Sequence, residues 1–138
     1  MKKIGFLLLT TLLISCHAEV KKEDLNKLNG YWEIKQVKLS DGEKKDYKVN
    51  ETIDFFELQN NTGFRQKVMP QFDGTYRTNG IKENIKIIEK NNTFFIEYQT
   101  NYGKWQEEIV EIADSTLVLK NKIKLEYTYK KFKPYSLK

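Results

Sequence analysis

From Gly30 onward the chain is divided into short segments rich in aromatic and β-branched residues, separated by Asn, Asp and Gly. The dividing positions are Asp41-Gly42, Asn60 to Gly63, Asp73-Gly74, Asn79-Gly80, Asn91-Asn92, Asn101 to Gly103, Asp114-Ser115 and Asn121-Lys122. These residue types supply the left-handed or tight backbone that hairpins demand. The spacing predicts strands at 31–39, 52–59, 64–69, 74–79, 83–89, 93–100, 104–112, 116–120 and 123–131, with little room for helix. In the last segment Ile123, Leu125, Tyr127 and Tyr129 alternate with Lys124, Glu126, Thr128 and Lys130, the period of a half-buried strand. A tight turn at Asn121 would set Leu119 opposite Ile123 and Leu117 opposite Leu125. An Asn91-Asn92 turn sets Ile87 opposite Ile96 and Ile85 opposite Tyr98, so register and hydrophobic pattern agree. The fold expected is all-β: an antiparallel up-and-down barrel of eight or nine strands, favoured over a sandwich by the meander order. Before it, Glu23 to Asn29 can form a short helical turn with Leu25 and Leu28 on one side.

The N-terminus is organised differently. Lys2 and Lys3 precede an apolar run from Ile4 to Ile14, too short to span a bilayer comfortably. The run closes with Leu13-Ile14-Ser15-Cys16, which resembles the lipobox of bacterial lipoproteins. That resemblance implies removal of residues 1–15 as a signal peptide and acylation of Cys16, whose sulfur takes a diacylglyceryl group and whose freed amine takes a further chain such as palmitate. Two or three buried chains hold a protein on a membrane where one holds it only marginally. Residues 16–24 then form a tether and 25–138 the barrel domain. Cys16 is the only cysteine, so no intrachain disulfide supports the fold. The implied location is the cell envelope, lipid-anchored. His17 rather than aspartate follows the cysteine, which by analogy with enterobacterial sorting favours the outer membrane.

Loss of Lys2 and Lys3 lowers the net charge from +5 to about +3, spread along the whole chain. This is a solvated surface compatible with anionic lipid, and no concentrated nucleic-acid footprint is present.

A second resemblance lies at the start of the barrel. Leu28-Asn29-Gly30-Tyr31-Trp32-Glu33-Ile34 resembles the Gly-x-Trp opening of the lipocalin superfamily, in the manner of lipocalin-like lipoproteins of Bacteroidota. It implies that Gly30 turns the chain sharply and that Trp32 packs across the closed end of the barrel. In lipocalins an arginine of the last strand stacks on this tryptophan; here Lys130 or Lys131 takes its place, and Lys130 is the position assigned. Lysine is the poorer planar partner. No Thr-Asp-Tyr motif of the central lipocalins is present, so family ligands do not carry over.

The sequence supplies little for catalysis, and no enzyme activity, metal or cofactor is expected. His17, the sole histidine, sits beside the anchor. Glu107 and Glu108 are adjacent and so point to opposite faces of a strand; Asp54 and Glu57 do the same. Glu107 is the exception. If Trp105 and Ile109 face inward, Glu107 lies between them inside the barrel, where it could hold a ligand amine or hydroxyl. A β-bulge turning it outward is the reading favoured, and Glu107 is not assigned as a site residue, since Val110 and Ile112 suggest that the strand changes face.

Phe56, Phe64, Tyr76, Phe94, Tyr98, Trp105, Tyr127 and Tyr129 lie on segments expected to face inward. Either they line a calyx for a small apolar or amphipathic ligand, with Phe56, Tyr98, Trp105 and Tyr127 as the binding residues, or they fill the barrel. The leading functional reading is a membrane-anchored binding protein. The alternative is a filled barrel acting on an envelope partner, as assembly factor or inhibitor, through loops or an outer face that includes Ile88 and Phe95.

Overall fold

The computed structural model describes residues 18–135. The expected signal peptide, Cys16 and His17 lie outside the described residues. A 3₁₀ helix, Lys22–Leu28, leads into nine strands: β1 Gly30–Lys38, β2 Lys44–Asp46, β3 Ile53–Gln59, β4 Thr62–Pro70, β5 Tyr76–Lys90, β6 Thr93–Thr100, β7 Gly103–Ile112, β8 Thr116–Asn121 and β9 Glu126–Lys131. Each pairs antiparallel with its neighbour, and β9 returns to β1, from Trp32↔Lys131 to Lys38↔Glu126, which closes the barrel.

Since β9 occupies one edge of β1 along this length, β2 and β3 must share the other. β2 pairs with Gln36–Lys38 and β3 with Gly30–Trp32. The two therefore follow one another along the same side of β1, and the barrel has eight staves with one interrupted. Between them, residues 47–52 leave the wall, held by the Tyr47 amide donating to the Lys35 carbonyl and by Asn50 Nδ2 donating to the Ile34 carbonyl, both at 2.8 Å.

The Asn pairs make the turns expected of them. Asn60, Asn61, Asn91 and Asn92 all have φ between +50° and +68°, the conformation of two-residue hairpin turns whose twist matches that of their strands. Ile87↔Ile96 and Ile85↔Tyr98 pair as predicted. Beside the first turn, a Cβ on Gly63 would sit 1.8 Å from the Glu57 carbonyl oxygen, so only glycine lets β3 and β4 approach there.

Several expectations are corrected. The segments 74–79 and 83–89 are one strand, β5: Asn79-Gly80 is a bulge, and the register jumps from Gln66↔Lys82 to Val68↔Thr78. Beyond it the hairpin leans onto the outer face of the barrel, where Tyr76 stacks on Tyr31 at 4.1 Å between ring centroids. Tyr76 and Phe64 thus face outward, in a satellite aromatic cluster with Tyr31, Phe55 and Phe132. Finally, β9 starts at Glu126, three residues late. Asn121 Oδ1 accepts from the amides of Ile123 and Leu125 and supports a wider turn, so Leu119 faces Tyr127 and Leu117 faces Tyr129. The shift of four is even, which keeps the predicted faces despite the changed register.

The core gathers Leu25 and Leu28 of the 3₁₀ helix with Trp32, Phe56, Leu58, Ile85, Ile87, Phe94, Ile96, Ile109, Ile112, Leu117 and Leu119, mostly in the half of the barrel that the helix closes. Gly30, at φ +118°, admits the Lys131 side chain over the chain: a Cβ there would lie 2.7 Å from Lys131 Nζ. That amine sits 4.5 Å from the Trp32 ring centroid, and the Trp32 indole N–H donates to the Leu28 carbonyl at 2.8 Å. Lys131 therefore fills the role assigned to Lys130. Strand alternation decides the point, since Lys130 lies opposite Glu33 and is exposed. Ile88 and Phe95, expected to be exposed, pair with each other and are half-buried.

Candidate functional site at the open end

Above the apolar floor the barrel interior turns polar. The Asn60-Asn61 turn sets Phe56 opposite Arg65, which places Arg65 inward, and Arg65 in turn lies opposite Glu83 on β5. Arg65 Nε and Nη2 donate to the two Glu83 carboxylate oxygens at 2.8 and 3.0 Å, and Nη1 lies 3.6 Å from Glu107 Oε1. Its guanidinium carbon is 4.2 Å above the Tyr98 ring centroid. Beside this group Lys67 Nζ is 2.6 Å from Asp54 Oδ1. Three carboxylates thus share the layer with two cations.

Glu107 is inward and buried, which corrects the outward turn favoured from the sequence. The strand does change face, but at the irregularity between Ile109 and Glu111, beyond Glu107. Tyr98 Oη and Glu107 Oε1 are buried without a hydrogen-bond partner. Such atoms are costly unless a ligand or water completes them.

Burial raises the Glu107 pKa, the charges of Asp54 and Glu83 push the same way, and Tyr98 and Arg65 oppose. For Arg65 burial works against the charge, but the Glu83 hydrogen bond and the neighbouring Tyr98 and Asp54 outweigh it and raise its pKa. Burial likewise raises Tyr98 and Tyr129.

Of the four expected binding residues, Phe56 and Tyr98 both belong to the core and have no exposed surface. Trp105 stacks on Tyr98 at 5.3 Å between centroids and is 39% exposed. Tyr127 is half-buried against the core. Tyr98 and Trp105 are therefore in direct contact, while Phe56 belongs to the packing beneath.

The wall beside Trp105 is low. The last β7–β8 pair is Glu107↔Asn121, so Gly103 to Gln106 stand above β8 with no β8 partner. Against the outer wall at this step lies a hollow of about 770 Å³, lined by Phe95, Glu97, Lys104, Gln106, Glu108 and Lys120 with Trp105, Asn121, Lys122 and Ile123 at its upper edge. Trp105 thus connects the buried polar layer with the outside.

Among the described residues no group of His, Cys, Asp and Glu is arranged to hold a metal ion, and no helix is long and apolar enough to cross a membrane.

Comparison with known proteins gives the family. The model of the lipocalin-like domain matches residues 28–119. Similar solved structures include a lipocalin-like protein from Bacteroides uniformis ATCC 8492, at 18% identity over 77% of this chain and 99% of that one, with a TM-score of 0.47. An uncharacterized protein from Bacteroides eggerthii DSM 20697 is 13% identical over 76% and 99%, TM-score 0.47. Apocrustacyanin C1 is 12% identical over 84% and 67%, TM-score 0.48. No curated protein matches. With two thirds of its length matched and a closed barrel capped by Trp32, the chain belongs to the family of lipocalin-like domains.

Proposed function

We propose that the protein is a lipid-anchored lipocalin-like lipoprotein of the cell envelope, delivered to the outer membrane, that binds a small amphipathic ligand at the open end of its barrel. The observation that carries the binding site is the stacking of half-open Trp105 on buried Tyr98, whose hydroxyl, like the Oε1 of buried Glu107, has no hydrogen-bond partner. A ligand's apolar part would lie on Trp105 and Tyr127. Its head, an amine or hydroxyl, would complete the bonds that Glu107 and Tyr98 lack, and the excess of carboxylates in the layer favours the amine. The site is shallow, because Trp32, Phe56 and their neighbours fill the floor.

Nile red titrated into the protein should show saturable fluorescence, displaced more readily by dodecylamine than by dodecanoate. Trp105→Ala should weaken uptake about tenfold, on the scale of one lost aromatic contact, while moving the urea midpoint little. Absence of saturable uptake, or uptake indifferent to Trp105→Ala, would reject the site.

The anchor is tested separately. In a bacterial host supplied with labelled palmitate, the wild type should carry label and Cys16→Ser none; label retained on the variant would refute acylation at Cys16.

A further inference from the structure

The two ends of the barrel differ in what their turns present to solvent. At the closed end the strand connections are Asn60-Asn61, Asn91-Asn92 and Ala113 to Ser115, and none carries an exposed large apolar residue. At the open end the β6–β7 turn carries Tyr102, fully exposed, and the β8–β9 turn carries Ile123, 69% exposed, with Trp105 between them at the notch. Both turns are basic. From Thr100 to Gln106 and from Lys120 to Leu125 there are four lysines, Lys104, Lys120, Lys122 and Lys124, and no acidic residue. Lys104 and Lys120 are partnered by Glu97 and Glu108 on the outer wall, whereas Lys122 and Lys124 have no carboxylate partner among the described residues.

We infer that this rim is a docking surface for an anionic lipid bilayer. A protein partner would be met by a contiguous complementary patch. Tyr102 and Ile123 instead project singly from two different turns, with ammonium groups beside them. That is the chemistry of the bilayer interface, where Tyr and Trp rest at headgroup depth and lysines meet lipid phosphates. Leu39, partly exposed at the β1–β2 turn, extends the apolar edge, although Asp41 and Glu43 make that side less basic. Seated this way, the notch beside Trp105 opens toward the lipid, and an amphipathic molecule could pass between bilayer and barrel without crossing water. The inference does not depend on ligand uptake, nor on acylation of Cys16, which precedes the 3₁₀ helix at the opposite, closed end and would be an attachment separate from the rim.

The described residues close the barrel and hold its core, so a chain beginning at Ala18 suits the test and removes any acyl contribution. It should sediment with vesicles of phosphatidylcholine and phosphatidylglycerol, much less with phosphatidylcholine alone, and less as salt rises. Trp105 emission should shift to the blue and be quenched by brominated lipid, while buried Trp32 stays silent. Lys122→Glu with Lys124→Glu should weaken partitioning by at least about fivefold per site, and Tyr102→Ser with Ile123→Ser about tenfold or more. These positions are exposed, and an unchanged urea midpoint would show the variants folded. No partition onto the anionic vesicles, or partition that these variants leave unaltered, would overturn the inference. Vesicle binding without Nile red uptake would leave it standing and remove only the ligand site.

Discussion

Replacement of Trp32 by alanine is expected to remove about 3–5 kcal/mol of folding stability, the usual cost of deleting a buried aromatic ring. Trp32 has no exposed surface and holds the closed end together in three directions. Its ring packs with Leu25, Leu28 and Phe56, its indole N–H satisfies the Leu28 carbonyl at the end of the 3₁₀ helix, and its face receives Lys131. Lys131 also donates to the Asn29 carbonyl, and burial lowers its pKa. Removing the ring leaves a cavity, an orphaned carbonyl and an ammonium group above empty space. Trp32→Phe keeps most of the burial and should lose about 1–3 kcal/mol, the cost of the unsatisfied carbonyl. Urea unfolding followed by circular dichroism measures both, and a Trp32→Ala midpoint equal to that of wild type would mean that this end is not closed as described.

Arg65→Met should be comparably severe, about 3–5 kcal/mol at about pH 8, because it strands Glu83 and Glu107 without their shared cation. The penalty should depend on pH. Burial already raises the folded-state pKa of Glu107 above 4.5, so between that value and the folded pKa the native state binds more protons than the unfolded one. Stability from this group is complete below the unfolded pKa and is lost as pH rises through the folded pKa. Without Arg65 the folded pKa climbs further, so the loss grows larger and extends to higher pH. Arg65→Met should therefore look milder at about pH 5 than at about pH 8, and adding Glu107→Gln should flatten the difference. An equal penalty at both values would show that Glu107 is solvated rather than buried against Arg65.

The sequence pattern revealed the staves better than their joints. Alternation placed Ile85, Ile87, Ile96 and Tyr98 correctly because paired asparagines fix a hairpin register without help from the rest of the chain. It missed β2, since Lys44–Asp46 is fully exposed and has no apolar face to read; its ladder with β1 and the Gln36–Asp46 side-chain bond hold it. Gly80 looked like a turn because a glycine in a bulge and one in a turn leave the same mark. The family match ends at Leu119, before the strand that closes the barrel.

At the site, Tyr98 and Trp105 were legible from alternation alone, whereas Glu107 was read as turned outward because the face change was placed one pair too early. Arg65, Asp54 and Glu83 were missed, because charged side chains are ordinarily assigned to solvent. The signal was present nonetheless: an Asn60-Asn61 turn puts Arg65 opposite Phe56, and Asp54 is two residues from Phe56 on the same face.

The interrupted stave bears on how such a barrel can change its length. At Asn60-Asn61 or Asn91-Asn92 an added residue would disturb a turn that sets register, and a slip of one would carry every inward side chain to the outside. Residues 47–52 are different. They lie between two pieces of strand that are each registered on β1 independently, so segments of other lengths and chemistries could be spliced in while the eight staves stay in step.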